Sequence, residues 1–203
     1  MNSFTRAQKH LRRVDPILAK VINRIPAPQT KKRRGNYFKS LVEAIISQQL
    51  SNKAADTIIV RFRKLFHQPG FPTPRQVLRM PAEKIRSAGL SYSKVAYIKD
   101  LAKAIETKQL NIRQVHKMSD EEVILHLTQV KGIGQWTAEM FLMFSLERPD
   151  VFSHGDLGLR NAIQRLYCFK KPPTVKQIEK IVLKWQPHRT LASRYLWRSL
   201  DNE

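Results

Sequence analysis

Apolar residues recur along this chain at spacings of three and four almost from end to end, and no stretch alternates strictly as a half-buried strand would. This pattern restricts the chain to an all-α fold. Phe38, Leu41, Val42, Ile45 and Ile46 form one apolar stripe. Ala54, Ala55, Ile58, Ile59, Phe62 and Leu65 form another, opened by Ser51 as a cap. Two core helices therefore follow one another closely.

Helix punctuation divides the rest. Asp15-Pro16 reads as an N-cap followed by a first helical residue. Thr73-Pro74 opens a short helix, Met80-Pro81 forces a restart running to Ala88, and Gly89 stops it in a left-handed cap. Ser91 starts a longer helix through about Lys108. Ser119 with Glu122, and Thr174 with Gln177, have the spacing of capping boxes. The segment from Arg24 to Gly35, rich in proline and charge and without an apolar face, is a linker. Short, numerous helices favour a globular bundle over a coiled coil.

The 203 residues, 42% of them apolar, suffice for one compact domain or two intimate lobes. The chain carries 37 Lys and Arg against 16 Asp and Glu, a net charge of +21 spread from Arg6 to Arg198. Such a field favours a polyanion, nucleic acid above all. A membrane fits less well, because no apolar run approaches the roughly 20 residues that span a bilayer, and the start of the chain shows no signal-peptide core. The basic, amphipathic HLRRVDPILAKVI has some presequence character, but its Asp-Pro cap reads as folded structure. The single cysteine, Cys168, excludes an internal disulfide and four-cysteine zinc or iron-sulfur sites. Between Tyr167 and Phe169, it reads as a small packed residue.

Of seven glycines, four (Gly132, Gly134, Gly155, Gly158) fall in one stretch that begins LTQVKGIGQWTAEMF. A helix ends near Thr128, the turn from Val130 to Gly134 reverses the chain, and an apolar helix starts near Gln135. Gly132 and Gly134 are expected where backbone needs positive φ or close approach. Amides at the start of the second helix can then face a phosphate, helped by the helix dipole. A basic chain with such a turn can grip a DNA backbone without reading sequence. A plain αα-hairpin is the other reading.

About twenty residues on, ERPDVFSHGDLGLRNAI places Val151-Phe152 and Gly155-Asp156 before another helix. Hairpin and aspartate, in this order and at this distance, resemble the helix-hairpin-helix (HhH-GPD) DNA glycosylase superfamily. LVEAIISQQLSNKAADTI upstream and KWQPHRTLASRYLWR downstream extend the likeness over most of the chain, which most resembles the 3-methyladenine DNA glycosylase II, or AlkA-like, branch. The resemblance implies a two-lobed helical fold with a DNA-binding cleft between the lobes. One lobe would hold about 38–145, the other about 1–37 plus 146–203.

It also implies roles. Asp156 would be the catalytic carboxylate, stabilising the positive charge that builds on deoxyribose as the N-glycosidic bond breaks, and orienting or deprotonating water. By itself, Asp156 reads equally as a helix N-cap, and His154 beside it as a surface loop histidine. Lys131, Gly132, Ile133, Gly134 and Thr137 would form the phosphate-binding hairpin. Trp136 and His188 would belong to the base pocket; read alone, Trp136 is a core aromatic, and His188 departs from the aromatic of some relatives. Gln49 and Leu50 match the positions that fill the gap left by a flipped base; alone, Leu50 is a core residue. Trp185 and Trp197 read as packing.

Superfamily members that also cleave the strand carry a lysine two residues after the hairpin's second glycine. Here that position is Trp136, so the resemblance implies a monofunctional enzyme of base excision repair that leaves an abasic site. The substrate would be duplex DNA with alkylated purines of the 3-methyladenine and 7-methylguanine type, and the protein a monomer. No cofactor is expected in the chemistry. Main-chain carbonyls of Thr128, Val130 and Ile133 would hold a structural sodium or potassium ion in the DNA complex. The expected location is cytoplasm and nucleoid in a bacterium, or the nucleus in a eukaryote. The rival readings are an oxidised-base or mismatch glycosylase of the same superfamily and a non-catalytic DNA-binding module.

Overall fold

The computed structural model describes residues 3–28, 35–67 and 69–201, and is helical throughout these. In chain order the helices are α1 (Ser3–Val14), α2 (Pro16–Arg24), α3 (Tyr37–Ser47), α4 (Asn52–Lys64), α5 (Pro74–Arg79) and α6 (Ala82–Arg86). There follow α7 (Tyr92–Glu106), α8 (Asp120–Thr128), α9 (Gln135–Phe144), α10 (Leu157–Leu166), α11 (Val175–Val182) and α12 (Arg189–Asp201). Single 3₁₀ turns occupy Val115–Lys117 and Leu183–Trp185. Residues 29–34, the middle of the linker expected from Arg24 to Gly35, lie outside the described residues. None of the described helices is long and apolar enough to cross a membrane.

The chain forms two compact units, Met1–Lys32 with Glu147–Glu203, and Arg33–Leu146. In the first, Leu11, Leu18, Ile163, Ile178, Val182, Tyr195 and Leu196 are fully buried around Trp185. Asp15, itself 4% exposed, ties this core together. Its Oδ1 accepts the Ile17 and Leu18 amides at 3.0 Å, capping α2. Its Oδ2 accepts Trp185 Nε1 at 2.8 Å and the Tyr167 hydroxyl. Burial of the phenol, then the neighbouring carboxylate, pushes Tyr167 well above the usual tyrosine range, so it stays a donor. A buried carboxylate is tolerated because four donors replace its water.

In the second unit, α3 buries the five expected residues. The α4 stripe is narrower than its pattern implied: Ala55 and Phe62 are buried, whereas Ala54, Ile58, Ile59 and Leu65 are only partly covered. Phe62 is shared among aromatic neighbours, 5.3 Å from Phe66 and 5.9 Å from Phe71, while Ile58 packs along the edge beneath Gly89. Ser51, Ser91 and both expected capping boxes close their helix starts, and Thr73 with Gln76 adds a third box. Gly89 adopts φ +103, as a helix stop requires.

Cys168 corrects the sequence reading, being exposed rather than packed. It sits at φ +56 just past α10. The amides of Phe169 and Cys168 reach back to Gln164 O (2.9 Å) and Arg165 O (3.1 Å), a Schellman closure in which cysteine takes the place glycine usually holds.

Candidate functional site

In the first unit, Asp156 N-caps α10, and its Oδ1 accepts the Leu159 amide at 2.7 Å. The same oxygen accepts Trp197 Nε1 from α12 at 2.9 Å. The residue is 7% exposed. Asp156 is therefore the cap that its neighbours in sequence announced, and also a carboxylate held in one orientation by two donors, one at the dipole-positive end of a helix. Gly158 makes room for this: a Cβ there would lie 3.2 Å from both Asp156 Oδ1 and Trp197 Cδ1. Directly beside the carboxylate, Leu157 projects into solvent at 69% exposure.

In the second unit, α8 and α9 pack as the two arms of the hairpin. The loop is closed by Val130 N to Leu127 O and Ile133 N to Val130 O, both 3.1 Å. Gly132 adopts φ +84, and a Cβ on it would stand 2.3 Å from ring atoms of Tyr97. Glycine is thus required there twice over. Gly134 corrects the expectation made for both glycines: its backbone is extended at φ −89, and nothing lies within 4 Å of a Cβ built on it. The protein itself does not demand glycine at 134, which leaves an open approach to the first amides of α9. Lys131 is exposed at the tip, and Ile133 is buried, anchoring the loop. Thr137, in the first turn of α9, is also buried, at 4% exposure.

The expected gap-filling pair stands on a turn fastened to this hairpin. Leu50 N donates to Ser47 O at 3.2 Å, Gln48 has φ −52 and ψ 129, and Gln49 has φ +57, the pattern of a type II turn. A glutamine in the left-handed region is uncommon and needs outside support. Lys94 supplies it, its Nζ donating at 2.7 Å to the carbonyls of both Ile46 and Gln48. Burial lowers the Lys94 ammonium from its ordinary range. Gln48 Nε2 donates to Gly132 O at 2.8 Å, joining turn to hairpin. Gln49 is exposed, and so is Leu50, at 38%, which excludes the core reading of that leucine.

Trp136 begins α9 and is 47% exposed, so it is not a core aromatic. His188 is half-buried, its ring edge-on to His10 at 5.4 Å, after the cis Gln186-Pro187 bond. Burial, then the neighbouring His10, lowers His188 from its ordinary value, against the pull of Asp150. Three participants escaped sequence reasoning: Trp197, Gln48 and Lys94. No spacing rule links Asp156 to Trp197 or Lys94 to Gln48, because these partners come from separate helices.

The family model described as HhH-GPD superfamily base excision DNA repair protein matches residues 42–188. DNA-3-methyladenine glycosylase 1 of Schizosaccharomyces pombe is 35% identical over 98% of this chain and 89% of its own length. The solved structure of that yeast's 3-methyladenine DNA glycosylase (Mag1) with abasic DNA superposes with a TM-score of 0.83, covering 97% of each chain. A DNA-3-methyladenine glycosidase from Bacillus halodurans, 36% identical, superposes at 0.81 over 95% of this chain and 88% of its own. The helical architecture, the glycine hairpin and the capped aspartate thus sit within one lineage, and the chain belongs to the HhH-GPD superfamily of base excision DNA repair proteins.

Proposed function

We propose that this protein is a monofunctional DNA glycosylase that hydrolyses the N-glycosidic bond of alkylated purines in duplex DNA, acting as a monomer. The observation that carries the reading is the fixed carboxylate of Asp156, held through Oδ1 by Leu159 N and Trp197 Nε1. As the bond from C1′ to the base nitrogen breaks, its electron pair leaves with the purine and positive charge grows on the sugar. A pre-oriented carboxylate stabilises that charge without reorganising. It then accepts a proton from the water that adds at C1′, leaving an abasic site. A purine already cationic from alkylation leaves easily, is poorly paired, and stacks well on an electron-rich ring such as the exposed Trp136.

The hairpin supports the DNA grip: the open face of Gly134 and the exposed Lys131 offer amides and a cation to a phosphate. Leu50 and Gln49, on their braced turn, are suited to enter the space a flipped base vacates. Trp136 stands where a strand-cleaving relative would carry its amine, which supports hydrolysis without lyase action. The Thr128, Val130 and Ile133 carbonyls are the hard oxygen donors that would hold sodium or potassium beside a bound phosphate, Val130 O through a lone pair beyond the one that accepts Ile133 N. The ion would supply charge neutralisation for the DNA backbone and no step of the chemistry.

Release of free bases from methylated duplex, identified by chromatography, tests the proposal. Wild type should release alkylpurines, and Asp156→Asn should lose this while keeping DNA affinity, since removing a negative charge near phosphate does not weaken binding. Strand cleavage without alkali would overturn the monofunctional assignment. No release by wild type, or equal release by Asp156→Asn, would favour a DNA-binding module.

A further inference from the structure

The chemistry above leaves unused a histidine two residues before Asp156. His154 Nε2 lies 2.9 Å from Glu179 Oε2 on α11, both side chains being partly exposed, 33% and 39%. Its ring meets Phe152 edge-on at 5.0 Å, and Phe152 rests 6.1 Å from the buried Trp185. Nδ1 is buried and has no hydrogen-bond partner. A loop histidine without constraint would turn both ring nitrogens to water, because a buried, unpaired nitrogen is costly. Here the ring forgoes that hydration to keep Nε2 on Glu179.

The strap acts on a particular backbone segment. Asp156 N donates to Ser153 O at 3.3 Å, so His154 and Gly155 are the two central residues of the turn that delivers Asp156 to α10. Upstream the segment is anchored by Val151 N donating to Thr190 Oγ1 at 3.0 Å. Gly155 is exposed, and a Cβ on it would touch nothing within 4 Å, so the turn has a hinge with no packing of its own. Of the three side chains between anchor and hinge, Phe152 and Ser153 are buried beneath the segment, and that of His154, next to the hinge, reaches across to α11. We propose that the His154–Glu179 pair straps the Ser153–Asp156 turn to α11, making His154 a positioning residue for the Asp156 carboxylate. This rests on Asp156 being the catalytic group.

Single-turnover excision from saturating methylated duplex, run beside Asp156→Asn, tests the strap. Because small misplacements of a reacting group cost rate steeply, His154→Ala should slow excision about three- to tenfold while duplex affinity and thermal midpoint stay near wild type. His154→Gln, which keeps an N–H at similar reach, should recover most of the rate. Glu179→Ala should slow excision to a similar degree, and the double variant should fall no further than either single change, as for two ends of one contact. Should His154→Ala fail to fold, Glu179→Ala and His154→Gln carry the test. Wild-type rates for His154→Ala and Glu179→Ala beside an inactive Asp156→Asn would overturn the strap alone. So would a rate loss that glutamine does not restore and that tracks the thermal midpoint. An active Asp156→Asn would instead overturn the reading of Asp156, and the strap's role with it.

Discussion

Trp197 donates its indole N–H to Asp156 Oδ1 at 2.9 Å, across 41 residues of sequence, onto the oxygen that also caps α10. A hydrogen bond to a charged group is worth about 1.5–3 kcal/mol. Trp197→Phe keeps the ring body but removes this donor, while the Leu159 amide still donates to Oδ1. Excision should slow by about tenfold or more, as that energy implies, with DNA affinity held. Single-turnover base release alongside a binding titration checks this; an equal loss of affinity and rate would refute it.

The two hairpin glycines should separate stability from binding. Gly132→Ala meets the Tyr97 ring at 2.3 Å and must hold φ +84, costs of about 1–3 kcal/mol each. A marked drop in thermal midpoint is expected. Gly134→Ala finds open space and extended backbone, so its cost stays at about 1 kcal/mol or less, while its methyl group obstructs the route to the α9 amides. Duplex affinity should fall in this variant although its melting curve barely moves. Calorimetry and fluorescence anisotropy on both proteins distinguish the two effects.

Lys94→Met would leave the Ile46 and Gln48 carbonyls without their ammonium donor. Unpaired polar groups of this kind cost about 1–3 kcal/mol, and the strained Gln49 turn would lose its brace. Hydrogen exchange should quicken at Leu50, whose amide closes that turn, more than in the middle of α7. Uniform quickening across the second unit would contradict a local role.

His188 governs part of the acid response. Its folded value lies below the ordinary 6.5, chiefly through burial and then His10. The unfolded chain therefore takes up a proton first as pH falls. Its contribution to stability is complete above 6.5 and is lost as pH drops below that value through the lowered folded one. His188→Gln should flatten the fall of thermal midpoint below 6.5 and leave the neutral-pH slope unchanged. Melting curves across that range test the sign, and a steeper acid loss in the variant would reverse it.

Much of this protein was legible locally. Caps at Asp15, Ser51, Ser91, Ser119 and Thr174 stand where their side chains can reach amides two or three residues on, a relation contained within one helical turn. The α3 stripe was equally readable, because a 3.6-residue period puts its apolar residues on one face. Cys168 misled for a local reason of another kind: its apolar neighbours announced packing, while the need to close α10 placed it in the left-handed region at the surface.

The sequence by itself determined the helical class, most helix starts and the hairpin, since each depends on residues within a few positions of one another, while the candidate carboxylate was singled out by its resemblance to a family motif that joins hairpin and aspartate. Tertiary structure alone decided what braces them. Trp197 on Asp156, Lys94 and Gln48 behind the Gln49 turn, Tyr97 against Gly132, and Glu179 on His154 all join side chains from separate elements. Such partners follow from how helices pack, which no periodicity records. It likewise took the fold to bring Leu50 and Trp136 to the surface, because an apolar residue on a short turn or at a helix start carries no local mark of which way it faces.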